Sequence, residues 1–339
     1  MNIPVEIFEN TEKADSQALA LDASERIVKS IILIACFVAI YAFLIFSKAP
    51  WYLNATLTVI LSLLSYSIIL CIGHDAVHGS FSRNKRLNEV ALLSLDFFGV
   101  NGKIWRKRHM THHYATNSIE LDPDIQSMPW LRLSRYHKKL PHHRVQALAV
   151  IFIYVLIIIK SQIFDEIQSI FEARPDRRFT LIIRSFLGKL FFVTWAFFVP
   201  ISMHGHIALP FIMIGYFIFS LTISLLFMVG HNVIGVKHQK HRGLRPSHQE
   251  WQKSQIEATA NFEAGKLLSY FLGGLNRQIE HHLFPQLPHT QIESRTGYCI
   301  DISNSMGIEF KSYRSLLTAI ISHFKYLHAL GRDDFHPNN

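Results

Sequence analysis

Seven histidines fall into three tight clusters: His74-Asp-Ala-Val-His78, His109-Met-Thr-His112-His113, and the pair His281 and His282 in Gln278-Ile-Glu-His-His282. Neutral imidazole is the commonest protein ligand for iron, copper and zinc. Seven such ligands are too many for one tetrahedral zinc and suit two octahedral metals. On a helix, His74 and His78 project from one face, and so do His109, His112 and His113, through i, i+3 and i, i+4 spacings. His281 and His282 repeat the doublet, but Gln278 stands where a third histidine would complete the pattern. Gln278 can offer a weak carbonyl ligand or a hydrogen bond to a ligand, and both roles stay open. Alone, a His-x-x-x-His is often plain helix surface, and His109–His113 beside Arg106-Lys-Arg108 could be a solvated basic face. Three clusters, each beside a long apolar run, favour function, because ionisable groups at a membrane are expensive to keep.

The elements that must position these clusters are membrane helices. A span needs roughly 17–25 mostly apolar residues, and four runs qualify: Ile27–Phe46, Tyr52–Ile72, Leu181–Met203 and Ile207–Gly230. Short loops containing Lys48-Ala-Pro50 and His204-Gly-His206 join them as two hairpins. Arg184 and Lys189 interrupt the third run near its start, where long basic side chains are expected to snorkel to the interface. A fifth run, Ala147–Ile159, has only 13 residues, a length more often interfacial than spanning. Parity agrees: clusters that serve one site must share a membrane face, so an even number of crossings separates His113 from Gln278. The expected fold class is an all-α membrane protein: four transmembrane helices as two hairpins with a cytoplasmic helical cap holding a di-metal site. The expected domains are a cytoplasmic N-terminal segment (1–26), a membrane domain (27–290) and a C-terminal cytoplasmic tail (291–339).

Composition fits this picture. Of 339 residues, 49% are apolar and 17% charged, with the apolar ones concentrated in blocks. Cys36, Cys71 and Cys299 form no CxxC, so neither a disulfide framework nor sulfur ligation is expected. Between Phe81 and Gln146 there are 12 Lys+Arg against 5 Asp+Glu. Flanked by apolar runs, that excess marks the cytoplasmic side of a membrane and does not indicate nucleic acid. The first 26 residues are polar and carry six acidic groups, unlike a cleavable secretory signal.

The motifs HDAVH, HMTHH and QIEHHLFP resemble the three histidine boxes of the membrane fatty acid desaturases, and the Gln-led third box resembles the front-end and linoleoyl-CoA-desaturase-like groups. Gly79-Ser-Phe81, Trp105, Asn117, Leu121-Asp-Pro-Asp124, Thr259 and Gly273-Gly-Leu-Asn276 fit the same pattern, which extends roughly from Ile72 to His289. The resemblance implies two Fe ions ligated by His74, His78, His109, His112, His113, His281 and His282. It also implies one further ligand from the helix leading to the third box, for which His231 is the matching residue. Asp75 and Glu280 are then placed to accept the second ring N–H of a ligand histidine, or are surface carboxylates. The other twelve histidines are given no metal role; the tempting ones, His142, His143, His238, His241 and His248, lie in Lys/Arg-rich loops and are read as solvated or headgroup-facing.

The implied activity is O2-dependent desaturation of a fatty acyl substrate linked to lipid, CoA or carrier protein. No His-Pro-Gly-Gly haem motif, GxGxxG or Cys cluster occurs, so no bound haem or flavin is expected. Electrons come from a separate donor such as a ferredoxin or a haem-containing cytochrome, steered by Arg83–Arg86, Lys103–Arg108 and Arg132–Lys139. The expected location is a bacterial inner membrane, with both termini and the active site cytoplasmic. A di-iron hydroxylase or oxygenase of lipids or carotenoids could use nearly the same boxes. A metal transporter would instead place its histidines inside the spans, and an intramembrane zinc protease would need His-Glu-x-x-His, which is absent.

Overall fold

Long apolar helices dominate the chain, as the hydropathy pattern requires of a polypeptide that must satisfy its own backbone in lipid. The computed structural model describes residues 16–240 and 246–333, with side-chain environments from Ser24 onward; His241 and the acidic residues before Ser16 lie outside them. Among the described residues, four helical stretches are long and apolar enough to cross a bilayer: Ser24–Phe46, Trp51–His78, Pro141–Glu172 and Pro175–His231, each holding an 18-residue window of mean hydropathy 2.6, 2.2, 2.4 and 2.3 respectively. The chain is thus an all-α, multi-pass membrane protein in composition and helix length. The described residues form two compact units. One combines the chain up to Lys107 with Val155–Ser224; the other combines Arg108–Tyr154 with the chain from Leu225 onward.

In the first unit, helix α1 (Ser16–Phe46) packs against α2 (Trp51–Ile68). Helix α2 runs on through a π-helical turn, Ile69–His74, and an α-turn, Asp75–His78. Gly79 stops it in the left-handed conformation (φ 72°), where a Cβ would be strained. Gly73 allows a close approach, since a Cβ there would sit 2.9 Å from Leu95 Cδ2. A cluster of Phe37, Tyr41, Phe97, Phe98 and Trp195 fixes the interior, with Phe97 and Trp195 stacked at 5.0 Å and the Tyr41 hydroxyl donating to the Trp195 carbonyl.

Arg184 and Lys189 both find carboxylate partners. Arg184 makes a two-pronged pair with Asp96 (2.8 and 2.6 Å), and Lys189 binds Glu166 at 2.5 Å. The Asp96 and Glu166 side chains are nearly buried (10% and 5% exposed), so partners close at hand replace the water these cations would otherwise reach for. The stretch Pro175–His231 has 57 residues, roughly 85 Å at 1.5 Å per residue. It is broken at Gly205 (φ 62°, ψ −148°) into α5 with its π and α continuations (Pro175–His204) and α6 (Ala208–His231).

The fifth run corrects an expectation. Ala147–Ile159 is the middle of a helix, α4 (Gln146–Lys160), that continues through a π turn to Glu172. The whole stretch spans 32 residues, so shortness is no reason to keep it out of the bilayer. Counting only uninterrupted apolar residues had truncated it, because Lys160 and Asp165 pair with each other (2.6 Å) and the helix passes through them.

The second unit holds the last turns of α3 (Gly102–Tyr114), then α7 (His248–Ala258), the pair β1 (Asn261–Phe262) and β2 (Ser312–Tyr313), α8 (Gln278–Leu283), α9 (Thr296–Ser305) and α10 (Leu316–Arg332). The two strands are parallel, with Asn261 opposite Ser312. Capping boxes start α7 (Ser247 with Glu250) and α10 (Ser315 with Thr318). Trp251, Ile256, Ile279, Leu283, Leu287 and Cys299 form the core beneath α8.

Candidate metal centre

The helical period brings His109, His112 and His113 to one face of α3's last two turns, and two other elements bring partners to them. Helix α6 ends on His231, and α8 carries His281 and His282. The result is two groups of imidazoles. His112, His231 and His282 form a triangle of ring centroids with sides 4.7, 4.8 and 5.0 Å. His113 lies 4.6 Å from both His109 and His281, and stacks at 4.1 Å on His282 between the groups. Within each group the possible ligand atoms lie within 4.8 Å of one another. Two nitrogens on one metal at about 2.1 Å can be at most ~4.2 Å apart, so small ring movements suffice. In the first unit, His74 and His78 project side by side from the end of α2, centroids 4.8 Å apart.

Hydrogen bonds orient the first group. His112 is 2% exposed, and its Nδ1 lies 3.0 Å from both oxygens of Asp122. Its Nε2 is buried with no hydrogen-bond partner among the described residues. Asp122 also accepts from the backbone N–H of Asn117 (2.7 Å) and Asp124 (2.9 Å), so its oxygens are committed and it acts as the orienter of His112. Burial lowers the His112 pKa, but the Asp122 and Asp124 carboxylates outweigh it and hold the ring up at about 9. A metal would displace that extra proton and meet a nitrogen made more basic by the carboxylate behind it.

His282 Nδ1 donates to Gln255 Oε1 (2.9 Å), which also accepts from the Thr116 hydroxyl (2.7 Å), so the ring is held as the Nδ1–H tautomer. His231 Nδ1 is likewise buried without a partner among the described residues. Buried nitrogens left unpaired are costly in an empty site and become ligands when a cation is present. Borderline transition metals match this all-imidazole donor set, whereas hard Mg2+ or Ca2+ would demand oxygen.

The remaining predicted residues take varied places. Gln278 is buried, and its side chain lies so close to Gly230 that a Cβ there would sit 2.6 Å from Gln278 Cγ; the smallness of Gly230 lets Gln278 reach the end of α6. Asp75 is buried in the first unit and is no surface carboxylate. Glu280 is fully buried too, but it accepts from Asn261 Nδ2 (2.7 Å) and Thr296 Oγ1 (2.5 Å) where a ligand ring N–H had been expected. Burial raises its pKa despite those bonds. Among the histidines read as solvated, His143 is fully buried, with Nε2 2.9 Å from the Pro129 carbonyl. Arg132 is not free to steer a carrier: it is buried, donates to the Leu330 carbonyl and pairs with Asp333.

Sequence reasoning assigned no roles to Asp122, Thr116, Gln255, Asn117 or Gly230. Asp122 sits in the quoted Leu121-Asp-Pro-Asp124, ten residues after His112 and at the start of a 3-10 turn (Pro123–Ile125), which is the only sequence signal for its role. Asn117, in the left-handed conformation (φ 56°), ties three elements together: its Nδ2 donates to the carbonyls of His231, Lys237 and Ala258.

Residues 49–299 match the family described as fatty acid desaturase. The chain is 26% identical to the sn-1 linoleoyl-lipid 6-desaturase of Synechocystis sp. over 318 residues, 90% of this chain and 88% of that protein. It is 30% identical to the acyl-lipid (7-3)-desaturase of Rebecca salina over 81% of this chain and 64% of that protein. It is 26% identical to the probable Delta(5) fatty acid desaturase C of Dictyostelium discoideum over 97% of this chain and 74% of that protein.

Proposed function

The chain belongs to the fatty acid desaturase family, and from that premise we propose that it is a membrane-bound di-iron acyl-lipid desaturase. The observation that carries this reading is the pair of buried imidazole groups, His112 with His231 and His282, and His109 with His113 and His281. His74 and His78 complete the ligand set in this reading. The net reaction removes two hydrogens from adjacent methylenes of an acyl chain while O2, two electrons and two protons become two waters. Two bound irons would supply the one-electron and O2 chemistry that unactivated C–H bonds require. The chain's own residues supply the rest. Asp122 and Gln255 hold His112 and His282 with their Nε2 atoms turned inward, and the burial of all six imidazoles excludes water from the metals.

An apolar cavity of about 370 Å³ inside the first unit, lined by Tyr41, Phe98, Trp195, Phe211 and Phe219 among others, supports an acyl substrate. The acyl-lipid and linoleoyl-lipid names of the relatives favour an intact lipid as carrier, desaturated on the carboxyl side. Four crossings as two hairpins, with Pro141–Glu172 along the interface, keep every histidine cluster and both termini on one face, the cytoplasmic one. Electrons come from a separate acidic carrier meeting the remaining basic surface. The test is a gas-chromatographic fatty acid profile of cells expressing the chain with a confirmed electron donor, beside a His112→Ala control. A new unsaturated species only with the intact chain is expected. A hydroxylated product, or none, would overturn desaturation.

A further inference from the structure

We propose that the C-terminal helix α10, with His323 as its positioning residue, sets the place of His231 by gripping the turn Asn232–Ile234 that follows it. This rests on the reading of His231 as a metal ligand. Helix α6 ends at His231, so the backbone just beyond it has left the helical ladder and needs partners from elsewhere. A ligand histidine must be held within about 0.5 Å, whereas a helix end left to itself frays.

The C-terminal segment supplies those partners. His323 Nδ1–H donates to the Asn232 carbonyl at 2.6 Å, and the Tyr154 hydroxyl donates to His323 Nε2 at 2.5 Å. A carbonyl can only accept, so this arrangement fixes one neutral tautomer of His323. The next residue along, Ser322, accepts from the Ile234 N–H at 3.1 Å. Tyr313 donates to the Ile234 carbonyl at 2.9 Å and lies 2.7 Å from Ser322 Oγ, where the serine hydroxyl can donate in turn. Val233 and His323 are both fully buried, so water does not compete for these bonds. The turn is therefore held at two of its three residues by side chains that lie beyond the 49–299 match to the family.

The grip predicts a specific failure. In the purified full chain, His323→Ala should speed amide hydrogen exchange across residues 232–236. It should also weaken one of the two irons by about 10–100-fold while the other, held by His109, His113 and His281, is retained. Iron content and the 57Fe Mössbauer spectrum report the two sites separately. His323→Asn, whose amide N–H can stand where Nδ1–H stood, should restore both readouts. Unchanged exchange at 232–236 in His323→Ala would overturn the grip. Loss of both irons alike in both variants would also overturn it, since that marks a general folding defect. Wild-type protein that binds no iron, yet shows the exchange response, would sink the metal reading and leave the grip standing.

Discussion

Asn117→Gly removes one side chain and leaves its backbone at ease, because glycine adopts a φ of 56° without strain. What is lost is the amide that donates to the carbonyls of His231 (2.9 Å), Ala258 (3.1 Å) and Lys237 (3.3 Å). Two amide hydrogens serve three acceptors, so two bonds' worth of interaction is at stake. A buried acceptor stripped of its donor costs about 1–3 kcal/mol, giving roughly 2–6 kcal/mol for two. Asn117 Oδ1 has no partner among the described residues, and its removal offsets part of that cost, which puts the expectation near 3 kcal/mol. At roughly 2 °C per kcal/mol for a chain of this size, the apparent melting temperature should fall by about 6 °C. The assay is thermal unfolding in detergent at a fixed scan rate, followed by intrinsic fluorescence. Asn117→Ala loses the same bonds and also forces a Cβ into the left-handed region, about 1–2 kcal/mol more, so it should melt roughly 2–4 °C below the glycine variant. A glycine variant within about 1 °C of the wild type, or an alanine variant melting above it, would refute the assignment of these bonds.

The other predictions concern titration, metal affinity and the cavity. Burial lowers the His323 pKa from the ordinary 6.5 to about 4. Above about pH 6.5 the ring is neutral whether folded or unfolded; as pH falls toward 4 the unfolded chain takes up a proton that the folded chain refuses, and about 3 kcal/mol is lost. Melting curves from pH 7.5 to 5 should therefore fall more steeply for the wild type than for His323→Asn, and parallel curves would contradict the shift. Asp122→Asn should leave the fold intact but weaken iron binding by about 10–100-fold, read by competition with a chelator; unaltered affinity would remove Asp122 as the orienter of His112. Ala208→Phe places a ring in the apolar cavity and should reduce conversion of longer acyl chains relative to shorter ones in the fatty acid profile; an unchanged ratio would mean that the chain does not lie there.

The ligand candidates were legible in the sequence because imidazoles at i, i+3 and i, i+4 spacing share a helix face whatever the rest of the chain does. The apolar runs were legible for a similar reason, since a bilayer imposes length and composition locally. The length of the helix holding Ala147–Ile159 was misjudged where that locality fails. A Lys160–Asp165 pair neutralises charges that interrupt the apolar run, and only the folded helix shows the two side chains meeting. The partners of Arg184 and Lys189 were hidden in the same way, because Asp96 and Glu166 come from other segments of the chain.

Glu280 shows the limit at the site itself. Its place directly before His281 and His282 suggested a hydrogen bond to imidazole, but strand β1 and helix α9 arrive first with Asn261 and Thr296. The carboxylate that does meet a candidate ligand ring, Asp122, is ten residues from His112 across a turn whose path the spacing does not specify. The sequence by itself determined which imidazoles are candidate ligands and that long apolar helices must position them, because residue type and helical period are local properties. Which imidazoles stand together, which polar groups lock their tautomers, and which distant helix holds His231 were decided by the tertiary structure alone, because those contacts join segments separated by tens to hundreds of residues.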